Sequence, residues 1–272
     1  MKKFSITALS LLLMLFFVSC SDDDDNNDGG GDNTNNYTPS TGTVLYFESY
    51  ELDENNNETG EARETEQTII GNTTLSGKQA TILEDYDEET GKRDTVYISE
   101  DDDFMYFYME DFNMGNEENT GDFIPNFDFE PQWIKICSFT QFEWNAFEYT
   151  IEGIESMLPI GGQNLEVEMT LKMTMSGKKK ANENFIIRDK NETVETLINE
   201  ITNNVNMEFK LKGGLPLPIP FPAIEQTFVN TYSLAKGFGI VKSMMPSQEA
   251  DPEDPISQVM PGNISRMVDY KK

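Results

Sequence analysis

The chain of 272 residues contains no histidine. That excludes Ser-His-Asp and Cys-His catalysis, zinc held by imidazole, and imidazole as a general base. Cysteine is nearly as scarce, with Cys20 and Cys137 alone, so no disulfide framework staples this fold. Bases are few: 20 Lys and Arg stand against 49 Asp and Glu, for a formal charge of −29. Nucleic acid and anionic lipid headgroups are poor partners for a surface of that sign. Most of the acids read as a solvated face, with at most a loose hold on divalent cations. Long apolar runs are missing too. The stretch from Ala8 to Val18 is about half of the ~20 residues that a membrane-spanning helix needs. No repeat of fixed period and no second low-complexity linker divides the remainder, which therefore reads as one domain.

What is present begins with Met1, Lys2 and Lys3, then the apolar run, then Ser19 and Cys20. A basic start followed by a short apolar core is the signature of an export signal. A plain secretory signal would end in a small-x-small triplet, whereas Phe17 stands at its first small position. Phe17-Val18-Ser19-Cys20 resembles instead a lipobox, the cleavage site of bacterial lipoprotein signal peptides. The resemblance implies cleavage before Cys20 and acylation of its thiol and new amine. Two or three acyl chains anchor firmly where one does not. Loss of the leader removes two lysines and no acid, taking the charge from −29 to −31. Acylation of Cys20 leaves Cys137 as the last thiol and excludes any intrachain disulfide.

Ser21 follows Cys20 where an inner-membrane retention signal would place Asp, which points to the outer membrane. Ser21 with Asp22, Asp23, Asp24 and Asp25 resembles the acidic export signal of Bacteroidetes surface lipoproteins. That implies the cell surface rather than the periplasmic face. Asn26 to Ser40 is mostly Asn, Asp, Gly and Thr, without an aliphatic side chain, and too polar to offset its ordering entropy. The chain thus divides into a leader (1–19), a lipidated acidic tether (20–40) and a β-rich domain (41–272).

Aromatic and β-branched runs bounded by turn residues predict strands over Thr43–Leu52, Glu61–Ile70, Lys78–Tyr86, Arg93–Ser99 and Phe104–Met109. Asp53 to Gly60 and Asp87 to Lys92 read as the turns between them, Gly91 supplying a positive φ. Gly71 and Asn72 close the second strand. A loop over Asn113–Asp128 follows, then strands over Trp133–Phe139 and Trp144–Ile151. Leu165–Met175 alternates without a break, its odd-numbered residues apolar and its even-numbered ones polar. Such a strand has one buried and one wet face. Val205–Lys212 repeats the pattern. Between them Val194, Leu197, Ile198 and Ile201 have helical spacing, with Asn191 as a possible cap, although a strand pair also fits. Leu215 to Phe221 alternates with proline, which suits an extended crossover or edge segment and no central strand. Phe228–Lys236 and Gly239–Met245 predict a hairpin, and Ile264–Tyr270 a last edge strand. The fold class is mainly β: a single curved antiparallel sheet or half-barrel meander, with a lid loop and one or two short helices at most.

Tyr232-Ser233-Leu234-Ala235-Lys236-Gly237-Phe238-Gly239-Ile240-Val241-Lys242 is similar to a hairpin found late in uncharacterised bacterial envelope lipoproteins, thought to have curved sheets of the LolA/LolB type. The resemblance covers about a dozen residues and brings no catalytic residue with it. It implies a non-enzymatic protein whose concave sheet binds an apolar molecule or another envelope protein.

Candidate sites follow from residue type. Tyr106, Tyr108, Phe127, Trp133 and Trp144 belong to an aromatic crowd between Phe104 and Tyr149. It builds either a core or a cavity for a lipid, a sterol-like molecule or a sugar ring. Exposed Trp133 or Trp144 would favour a glycan-binding accessory role. Asp53, Asn55, Asn57 and Glu64 match several calcium-loop positions, but Glu58 stands where that loop needs Gly. Asp101-Asp102-Asp103, or Asp128 with Glu130, could serve a two-carboxylate hydrolase. Cys137 among Ile134, Ile136 and Phe139 reads as a buried structural thiol. Asp94-Thr95-Val96 resembles a Bacteroidetes O-glycosylation site, with Thr95 as acceptor. No cofactor is implied.

Overall fold

The computed structural model describes residues 36–110, 130–160, 163–212, 224–248 and 261–272. The leader, Cys20, the Ser21–Asp25 signal, Phe127, the Asn113–Asp128 loop and the proline-alternating stretch lie outside the described residues. Within them the chain is almost entirely strand: β1 (Val44–Leu52), β2 (Glu58–Leu75), β3 (Lys78–Asp87), β4 (Arg93–Glu100), β5 (Phe104–Met109), β6 (Gln132–Ser138), β7 (Glu143–Ile160), β8 (Gln163–Lys179), β9 (Glu183–Ile187), β10 (Glu192–Leu211), β11 (Ile224–Ala235), β12 (Gly239–Met245) and β13 (Gly262–Lys271). A single 3-10 turn, Arg188–Lys190, links β9 to β10.

All described pairings are antiparallel, in the order β6-β5-β4-β3-β2-β1-β13-β12-β11-β10-β8-β7, with β9 paired to β10. β6 and β7 stand at opposite ends of that order. Yet only residues 139–142 separate them in sequence. A link that short spans at most roughly 18 Å. Twelve strands laid flat would be about 50 Å wide. Connectivity alone therefore forces the sheet to curl until its two edges meet, and it is nearly closed into a barrel.

The lumen-facing residues follow from alternation. Leu45, Ile69, Leu83 and Val96 are buried on successive strands, and Val167, Met169 and Leu171 line β8. Phe185 and Ile187 of β9 fold onto Leu45, Ile69, Val241 and Met267, plugging the barrel beside β1 and β13. Gly237 and Gly239 adopt φ of 74° and 73° at the β11–β12 turn, and Gly91 a φ of 68°, conformations that L side chains resist.

Four expectations need correction. The helical spacing from Val194 to Ile201 belongs to β10, a strand of 20 residues. Asn191 starts no helix; it is the left-handed C-cap of the 3-10 turn, at φ 51°, its amide donating to the Arg188 carbonyl. Gly71 does not end β2, because the register shift between Ile69 and Gly71 absorbs it and pairing continues to Leu75. β13 is not an edge: it pairs with β1 on one side and β12 on the other. Asn36, Tyr37 and Thr38, within the stretch that composition assigns to a tether, bond to the barrel.

Candidate functional site

Phe104 and Tyr106 lie in one cluster with Trp144 of β7 and Ile201 of β10, and Trp133 packs against it. Strand alternation turns Met105 to the opposite face, into a different cluster with Cys137, Leu197 and Leu234. Closure is what brings these strands together, for β5 and β7 are far apart in pairing order. Tyr106 and Tyr108 are each 8 % exposed and Trp144 6 %; Trp133 is half-buried.

The polar tips of Tyr106, Tyr108, Trp133 and Trp144 each have a partner. Tyr106 Oη donates to Asp101 Oδ2 at 2.6 Å, and the Tyr108 hydroxyl meets Ser76 Oγ at 2.9 Å. Trp133 Nε1 donates to the Leu75 carbonyl at 3.1 Å. Trp144 Nε1 donates to the Lys135 carbonyl at 3.0 Å, joining β7 to the outer edge of β6. Burial pushes the Tyr106 hydroxyl well above its ordinary value, and Asp101 adds to the effect. The Tyr108 and Trp133 rings lie 4.9 Å apart. Satisfied tips and buried faces are what a core needs. The structure therefore puts Tyr106, Tyr108 and Trp144 in the core. Buried Trp144 offers no flat exposed platform for a sugar ring, whereas Trp133 keeps part of its surface in solvent.

The edge of β6 is sealed by side chains instead of a further strand. Besides Trp144, the buried Asn199 of β10 accepts from the Ser138 amide at 3.0 Å. Lys179 Nζ donates to the Phe139 carbonyl at 2.6 Å. An exposed edge invites pairing with other chains, and these contacts close it.

The acidic candidates build turns. Asp53 accepts from the amides of Asn57 and Asn55 at 2.8 and 2.9 Å, and the Asn57 bonds first of all hold its carboxyl below the usual range. Glu64 pairs with Glu48, four residues from the end of β1, about 13 Å along the strand. Asp53, Asn55 and Asn57 thus share one turn, and Glu64 is not brought to it. Asp101 accepts from the Asp103 and Phe104 amides at 3.0 and 2.8 Å. Asp103 accepts from Thr140 Oγ1 at 2.5 Å. Asp128 lies outside the described residues, and Glu130 is exposed. Thr95 stands mid-strand in β4, half-buried opposite Glu84. Cys137 is fully buried, and burial pushes its thiol well above the ordinary value, which disarms it as a nucleophile. Among the described residues no group of three or more acidic or thiol side chains could hold a metal ion.

Two constellations were missed in the sequence. Asp85 of β3 stands directly opposite Asp94 of β4, with Gln67 Nε2 donating to Asp85 Oδ1 at 2.8 Å. The turn Asp87–Lys92 fixes this register, so folding the alternation back on itself could have found the pair. The second is a clasp on the incoming chain. Glu100 Oε2 accepts from the amides of Tyr37 and Thr38 and from Thr38 Oγ1, at 3.1, 2.9 and 2.9 Å. Gly237 and Gly239 amides donate to the Asn36 and Tyr37 carbonyls at 2.8 and 2.7 Å. The Tyr37 ring stacks on Phe139, centroids 4.8 Å apart and 5° from parallel. The lone aromatic Tyr37 in an otherwise polar tract was the available signal.

No family model matches the chain. No curated protein matches it either. Among solved structures, a chain described as a lipoprotein candidate from Parabacteroides distasonis is similar at 10 % identity and a TM-score of 0.43, covering 86 % of this chain and 98 % of its own. An exported-protein candidate with a YmcC-like fold from Bacteroides fragilis is similar at 10 % identity and a TM-score of 0.37, with the same coverage.

Proposed function

We propose that the chain is a non-enzymatic lipoprotein, acylated at Cys20 and held at the outer membrane with its domain toward the cell surface, where it engages another envelope protein. The clasp carries this reading. Asn36, Tyr37 and Thr38 are bonded to Glu100 at the end of β4 and to the β11–β12 turn, and Tyr37 stacks on Phe139 after β6. Load arriving from an N-terminal anchor would thus spread over three parts of the barrel rather than peel one strand.

Chemistry supports a binding role over catalysis. The chain has no histidine, its described thiol is buried, and Asp101 and Asp103 are engaged in turn structure. A protein partner is favoured over an apolar small molecule because Tyr106, Tyr108 and Trp144 are spent on the core. The test is metabolic labelling with palmitate and membrane fractionation of wild type and Cys20→Ser. Wild type should take up label and sediment with envelopes, and the variant should do neither. An unlabelled wild type, or a variant that sediments equally, would overturn the anchor.

A further inference from the structure

The lumen side of the wall is apolar on most strands, but one level of it is not. On β1, Leu45 and Phe47 are followed on the same side by Ser49. Ser49 pairs directly with Ser265 of β13, and Ser265 with Ser243 of β12. Directly paired residues project from the same face of a sheet. The row extends to Arg63 of β2 on one side. On the other it runs through Tyr232 of β11 to Asn199 of β10. Six adjacent strands thus present Arg, Ser, Ser, Ser, Tyr and Asn in line. They do so on the side where Leu45, Met267, Leu234 and Leu197 are buried.

The fold does not use the serine hydroxyls. Ser49, Ser243 and Ser265 are half-buried and make no hydrogen bond among the described residues. Asn199 is fully buried, and its Nδ2 has no partner. Polar groups inside a protein are ordinarily satisfied, so a row of idle ones asks for a partner. Neighbouring strands lie about 4.8 Å apart, which sets the three hydroxyls too far apart to bond one another. Solvent reaches this side of the sheet, because the Arg63 side chain is 54 % exposed. Serine is also short. Phe47 and Met267, opposite each other one alternation away, stand above the row as an apolar shelf. Phe47 is half-buried and keeps part of its ring open.

We infer that the serine row binds a neutral polyhydroxylated ring, a sugar, lying across β1, β13 and β12. Sugar hydroxyls both donate to and accept from serine hydroxyls. The apolar face of the ring rests on Phe47. Charge disfavours ionic ligands at this level. The Arg63 guanidinium is already paired with Asp87. Asp85 and Asp94, on the same face of β3 and β4, oppose an anion. No carboxylate stands in the row itself, so an ammonium group finds no counter-charge there. The site goes beyond the anchored lipoprotein described above and does not depend on it.

The test uses the chain from Ser21 onward and saturation-transfer NMR on four probes. These are the methyl glycosides of glucose, galactose, mannose and N-acetylglucosamine. At least one should receive saturation at its ring protons. The combined variant Ser49→Ala, Ser243→Ala, Ser265→Ala, with an unchanged melting midpoint, should bind that probe roughly tenfold or more weakly. Ser176→Ala, at an exposed position on β8, should bind it as wild type does. If the triple variant does not fold, Ser265→Ala alone tests the centre of the row and should weaken binding several-fold. Transfer to none of the four probes, or binding that survives loss of the hydroxyls, would overturn the site and leave the row to ordered water. Chain without Cys20 carries no acyl group, so failure here and failure of palmitate labelling are separate outcomes.

Discussion

Asp85 and Asp94 face each other across β3 and β4, and like charges in that position repel. Burial pushes the Asp85 carboxyl up to about 6; the Gln67 bond opposes this and Asp94 adds to it. An unfolded Asp titrates near 3.9, so the folded chain binds the extra proton between roughly pH 4 and 6. The stability this proton confers is fully present below about pH 4 and lost as pH rises through 6. Asp85→Asn should therefore stabilise the domain by about 1–2 kcal/mol at pH 7.5, with no gain at pH 4. Urea melts at the two pH values measure it, and an equal effect at both would refute the assignment. Asp87 has the opposite sign: burial raises its carboxyl, but Arg63 and Thr90 outweigh it and hold it at about 2. On the seam, Gly177 pairs with Trp144, and a Cβ there would fall inside the indole. Gly177→Ala should cost about 1–3 kcal/mol or more by overpacking. Combined with Trp144→Ala the two costs should be far from additive, read by a double-mutant melt cycle.

β10 is the element through which both closure and concealment run. Leu197, Asn199, Ile201, Asn203, Val205 and Met207 are buried in alternation. Two of the six are asparagines, and that broke the apolar period of two. What remained, Val194 through Ile201, imitated a helix. The Asn199 amide is the physical reason for the irregularity, since its oxygen satisfies the Ser138 N–H on the barrel's last edge. Its own Nδ2 has no hydrogen-bond partner. Asn199→Ala should cost about 1–3 kcal/mol by orphaning that buried amide, and the Ser138 proton should exchange markedly faster. Asn199→Asp, which keeps the accepting oxygen, should leave Ser138 protected. By contrast β1, β3, β4, β5 and β12 were legible to within a residue or two, because Gly91, Gly237 and the acidic turns punctuate regular alternation. The long strands β2 and β7 were not. Gly71 reads as a breaker but sits at a bulge, and β7 runs past the expected end at Ile151 through a bulge that holds Gly153 at φ 71°.

At the scale of the whole molecule, local alternation says which face of a strand is apolar but not which strand it will meet. Tyr106 and Trp144 therefore looked equally suited to a cavity wall and to a core. Only the meeting of β5, β6, β7 and β10 decides for the core. The same logic misplaced β13. Read as a terminal edge, it is the strand that joins β1–β6 to β7–β12, through its pairs with β1 and β12. Arg266 adds an ion pair to Glu58, and Lys190 reaches Asp269 at 2.9 Å. Removing an edge strand leaves the remaining ladder whole, whereas removing this one leaves two sheets with two new unprotected edges, on β1 and β12, and an open lumen. Truncation after Pro261 should therefore abolish cooperative unfolding altogether. The product should expose tryptophan to quencher, aggregate, and be cut by protease within both halves. A chain lacking residues 262–272 that melted in one transition near the wild-type midpoint would mean that β13 is an edge after all, and that the barrel closes without it.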